Sequence, residues 1–175
     1  MIGFRSRLHT RLNWNISPRP MTSPNFHAYI ALAVPPGLSG PSGWAASIVS
    51  ADGSRQRLAG GEGRSSANVM ALRAVLATVS ALPADSAATV FLDSAYVVRG
   101  VYDWRPAWEA RNWRSADGPI IANYQLWRSL FAQLDARPLV RLERCRGADH
   151  FEEMEPLRLV ARDEARKAAG LAQAA

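Results

Sequence analysis

The feature that most constrains this chain is a change of hydrophobic period near Ser65: three strand-length apolar runs precede it and a helical stripe follows. The run AYIALAV (28–34) reads as a buried strand and PPGLSGPSG (35–43) as a loop. WAASIVS (44–50) and RQRLAG (55–60) flank the turn signal Ala51-Asp52-Gly53 and read as a hairpin, so three antiparallel strands come first. Beyond Ser65, Leu72, Val75, Leu76, Val79 and Leu82 recur at helical spacing, with Ser65 or Ser66 available as N-cap. ATVFLD (88–93) is a short buried strand that leads into the helix SAYVVRGVYDW (94–104). Trp127, Leu130, Phe131 and Leu134 form the stripe of another helix, and PLVRLERC (138–145) is a fifth strand. A closing helix is expected from about Pro156, with Leu157, Val160, Ala161, Ala165 and Ala168 on one face. The order βββαβααβα predicts an α/β fold: a five-stranded mixed sheet flanked by helices.

With 175 residues and 48% apolar content, the chain can bury one substantial core. The expected division is a leader, 1–26, and a single domain, 27–171. No apolar run approaches the length of a membrane span. Cys145 is the only cysteine, so no internal disulfide is possible, and a reducing, cytoplasmic setting and a monomer are the expectations. The net charge of +6 points to a polyanionic partner until it is located: Arg5, Arg7, Arg11 and Arg19 lie in the first twenty residues, which contain no acid. The remainder is only mildly basic. That leader reads as a disordered tail, a transit peptide or a nucleic-acid-binding arm, and Met21 is an alternative start.

Four blocks carry a more specific pattern. Gly37-Leu38-Ser39-Gly40-Pro41-Ser42-Gly43-Trp44 is a glycine-rich loop after the first strand, and Ser65 to Leu82 is the first helix. Phe91-Leu92-Asp93-Ser94-Ala95-Tyr96-Val97 ends a strand and opens a helix. Between Gly100 and Trp127, the residues Trp104, Trp108, Trp113, Arg114, Ser115, Ala116, Asp117, Asn123, Leu126 and Trp127 keep fixed spacings. Together these blocks resemble the type 1 ribonuclease H family, over about residues 28 to 168.

The resemblance implies a ribonuclease H-like fold and, as partner, an RNA–DNA hybrid whose RNA strand the family cuts with two divalent cations held by three Asp and one Glu. Matched position by position, Leu32 stands for the first Asp, Ala71 for the Glu, and Arg158 for the last Asp; Asp93 alone remains. Ala148 stands at the family's mobile loop histidine. One carboxylate cannot hold a pair of Mg²⁺ ions, so the expected function is binding of a hybrid or other duplex without cleavage and without a cofactor. The alternatives are a divergent Mg²⁺-dependent hybrid ribonuclease and a protein-interaction scaffold with a protein partner. Asp93 is at most a relic metal ligand, or else an N-cap. The acid-rich stretch Asp149, His150, Glu152, Glu153 and Glu155 offers replacement ligands or a solvated turn. Arg158 is expected to reach Asp93 and pair with it. The residues implied to hold nucleic acid are Gly37, Ser66, Asn68, Trp104, Arg111, Trp113, Arg114, Asn123 and Arg158. Trp108, Trp113 and Trp127 are also candidates for the core. Contacts to RNA 2′-hydroxyls are expected to be poor, because Leu38 and Ala67 replace polar residues.

Overall fold

The computed structural model describes residues 25–37, 40–146 and 148–173. Residues 1–24 of the expected leader, together with Leu38 and Ser39 of the glycine loop and Gly147, lie outside them; the last residue of that expected leader, Phe26, already opens the first strand, a correction of the boundary by one residue. Five strands form one sheet: β1 (Phe26–Ala33), β2 (Gly40–Ser50), β3 (Arg55–Ser65), β4 (Ala88–Leu92) and β5 (Val140–Arg144). Their order is β3-β2-β1-β4-β5, with the first three antiparallel and β4 and β5 parallel to β1. The helices are α1 (Ala67–Ala81), α2 (Ala95–Arg99), α3 (Arg105–Ala110), α4 (Tyr124–Asp135) and α5 (Phe151–Gln173). The five-stranded mixed sheet read from the sequence is therefore the sheet observed.

Alternation along β1 separates two faces. Ala28 and Ile30 join the main core with α1 and α4, whereas Ala31 packs with Ala45 against Leu157 and Ala161 of α5. The helix α5 can lie close to the sheet because Gly43 and Gly61 have no side chain: a Cβ at Gly43 would collide with the Ala161 carbonyl, and one at Gly61 would come within 2.5 Å of the Glu164 carbonyl oxygen. The Ser66 hydroxyl caps α1 by accepting from the Val69 N–H.

Two expectations about helices need correction. The last helix begins at Phe151 rather than near Pro156, so the proline lies in its interior. Pro156 lacks the N–H that would bond the Glu152 carbonyl, but Glu152 is exposed and water can serve that acceptor. The stretch 94–104 is not one α-helix either. Between α2 and α3, Gly100–Trp104 forms a π-helical turn, closed by the Arg105 N–H on the Gly100 carbonyl.

Candidate nucleic-acid interface

The central feature of the tryptophan-rich segment is the Tyr96 phenol. Trp127 is fully buried, and its indole N–H, which can only donate, reaches the Tyr96 oxygen at 3.0 Å. The Asn123 side-chain amide donates to the same oxygen at 3.1 Å. Asn123 adopts a left-handed φ of 61° just before α4, a conformation that asparagine tolerates better than most side chains.

Trp104 stands edge-on to Tyr96, with ring centroids 5.9 Å apart, and tilts against Trp108. The π turn makes this possible. In an uninterrupted α-helix residues eight apart diverge by about 80°, but absorbing one residue reduces the separation to the equivalent of seven, about 20°. The same shift lets the Arg99 guanidinium lie over the Trp104 ring at 5.0 Å, although the two are five positions apart. Trp104 stays half-buried, with Arg99 and Asn123 beside its cluster.

Trp113 has a different environment. It packs edge-on against Tyr124 and at 5.7 Å from Phe131, which places it among the residues that cover the core. Arg114 donates to the Gly118 carbonyl at 2.8 Å, and this holds the turn from Arg114 to Ile120. Arg111 is exposed just after α3. Gly37, with φ 122°, is exposed and has open space where a Cβ would stand, so its backbone is approachable. Ser66 and Asn68 sit at the start of α1, the second exposed. Among the described residues, Gly37, Ser66 and Asn68 form no hydrogen bond with the Tyr96 cluster.

Asp93 follows β4 but does not cap α2; Ser94 does, accepting from the Val97 N–H. Asp93 instead accepts two hydrogen bonds from Arg144, both at 3.3 Å. The expectation that Arg158 pairs with Asp93 is thereby corrected. The parallel register matches Leu92 with Arg144, which brings that arginine to the strand end next to Asp93. Arg158 lies one turn beyond Glu155 on α5 and is held by it at 3.0 Å. Leu32 and Ala71 both belong to the main core, the first at its edge and the second 1% exposed. Of the acid-rich stretch, Glu153 forms a two-point pair with Arg55, and Asp149 accepts from the Arg146 N–H. Hydrogen bonds from Arg55 hold the Glu153 carboxyl below its ordinary range. Burial, and then the charge of Asp93, raise the Cys145 thiol pKa, which argues against a reactive thiolate. Among the described residues no three His, Cys, Asp or Glu side chains cluster so as to hold a metal ion.

A family model described as RNase H matches residues 36–151. The chain belongs to the RNase H family. The Ribonuclease H of Thiobacillus denitrificans is 42% identical over 96 residues, covering 55% of this chain and 64% of that protein. The Ribonuclease H of Paracoccus denitrificans is 40% identical over 121 residues, covering 66% and 77%. The chain thus spans less than two thirds of the first relative's length. A foamy viral protease-reverse transcriptase, solved in complex with an RNA/DNA hybrid, shares the fold with a TM-score of 0.67 at 14% identity, over 85% of this chain and 21% of that one. Within the RNase H frame, sequence reasoning missed Tyr96 and Arg144. Tyr96 stood in a quoted motif without a role, and Arg144 is tied to Asp93 by strand pairing, which no local pattern reports.

Proposed function

We propose that this RNase H-family chain holds an RNA–DNA hybrid or another nucleic-acid duplex without cutting it. The observation that carries the reading is the Asp93–Arg144 ion pair. Of the four family carboxylate positions only Asp93 is acidic, and a guanidinium already holds its Oδ1. The other positions bring an aliphatic edge, a buried alanine and an arginine. Mg²⁺ dehydrates reluctantly and needs clustered hard oxygens, so this donor set does not fit a pair of such ions. Grip on the duplex is assigned to Trp104 and Asn123 around Tyr96, with Gly37, Ser66, Asn68, Arg111 and Arg114 as further contacts. Ser66 keeps its hydroxyl proton free to donate, since the cap uses only its oxygen.

The second reading is a divergent hybrid ribonuclease, favoured by the identity of 40% to 42% with proteins named Ribonuclease H. Incubating a labelled hybrid with the purified protein and Mg²⁺ or Mn²⁺ separates the two. No cleavage is expected, and Leu32→Asp alone should not introduce it. Turnover by the unmodified protein that Asp93→Asn abolishes would establish the second reading instead. A reducing, cytoplasmic setting belongs to the same proposal; no described helix is long and apolar enough to cross a membrane.

A further inference from the structure

Between the end of β1 and the last helix lies a groove of about 540 Å³. One wall is Leu32 to Pro35 with Pro41, and the other is Arg158, Arg162, Ala165 and Arg166 of α5. The three arginines are four residues apart, so they form one stripe with successive members about 6 Å apart along the axis. Among the described residues no carboxylate lines this groove. Arg162 is exposed and has no ion pair or hydrogen bond among the described residues, while Arg158 and Arg166 each give one Nη1 to a carboxylate a turn earlier, Glu155 and Asp163. Such surface pairs are weak, and a guanidinium with five donors has others to offer.

We infer that this groove is an anion site that takes successive phosphates of a nucleic-acid strand, with Arg162 as its central contact. The inference rests on the proposed duplex binding and extends it from Leu32 and Arg158, at two of the family carboxylate positions, along α5 to Arg162 and Arg166. A stripe of three arginines favours phosphodiester oxygens, which guanidinium groups meet with paired hydrogen bonds. Apolar Leu32, Val34 and Pro35 opposite the stripe compete for none of those donors. Binding here replaces no cation, so it should be indifferent to chelator.

The test is a titration of a labelled RNA–DNA hybrid against the full chain by fluorescence anisotropy, at several salt concentrations, with millimolar Mg²⁺ and with EDTA. Arg162→Gln/Arg166→Gln should lower affinity at least tenfold at low salt and flatten the log K against log salt slope by about 2, since each phosphate contact contributes roughly 0.9. Arg57→Gln/Arg141→Gln, exposed residues outside the groove, removes the same charge and should cost far less. A parallel titration with inorganic pyrophosphate distinguishes a strand from a free phosphate source; it should not displace the hybrid at micromolar levels. Wild-type binding that the groove pair leaves unchanged, or that both double variants weaken equally, overturns the inference and leaves duplex binding standing. Absence of any hybrid binding by the wild type overturns both.

Discussion

At Gly100 a hydrogen stands where any other residue would drive a carbon into the Trp127 indole. The demand comes from Trp127 itself, fully buried, stacked on Phe131 at 5.4 Å and bonded to Tyr96. A ring fixed on three sides cannot retreat, so Gly100→Ala should destabilise the fold by about 1–3 kcal/mol through overpacking. Chemical denaturation followed by tryptophan fluorescence reads this directly; an unchanged midpoint would show that the π turn can widen. The residue scale is also where the sequence was least informative about the site. Ser94 takes the cap that Asp93 was a candidate for, and Arg144 takes the partnership expected of Arg158. Both outcomes depend on which of two neighbours reaches a group first, a matter of ångströms that residue types and spacings do not encode.

Elements were more legible, because burial imposes a period on them. The stripe Trp127, Leu130, Phe131 and Leu134 is the buried face of α4, and the hairpin around Ala51-Asp52-Gly53 pairs as read. Failures fell where a rule about one residue was applied without its surroundings, as at Pro156. Ion pairs then fasten neighbouring elements: Arg105 holds Asp135 across α3 and α4, and Arg55 holds Glu153 across β3 and α5. Hydrogen bonds from these arginines depress both carboxyl pKa values. A depressed carboxyl contributes stability above its ordinary value, 3.8 for Asp135, and loses that contribution as pH falls through its lower folded value. Thermal melting should therefore show Arg105→Ala less stable than wild type at pH 7, with the gap closing below about pH 4. Both groups are partly exposed, so the gap is small, within about 1 kcal/mol. A gap that persists at pH 2 would assign the arginine's role to its packing over the Phe131 ring, 4.5 Å away.

For the whole molecule, the succession of strands and most helices was readable because one core must be covered on both faces of one sheet. The distribution of charge was readable only in part. Removing residues 1–20 takes away four arginines, and no described strand or helix begins before Phe26. The shortened chain should melt within a few degrees of the full one and bind polyanions with a shallower salt dependence. A large fall in melting temperature would place the leader within the folded unit. The π turn has a reach beyond its five residues, since everything from Arg105 to Trp113 takes its azimuth from it. Gain of one residue there would leave the composition, the hydrophobic pattern and the helix count almost untouched. It would nonetheless turn the following helix by about 100° and carry Trp104 off the face it shares with Tyr96. In this segment the number of residues, as much as their identity, is a condition of the fold.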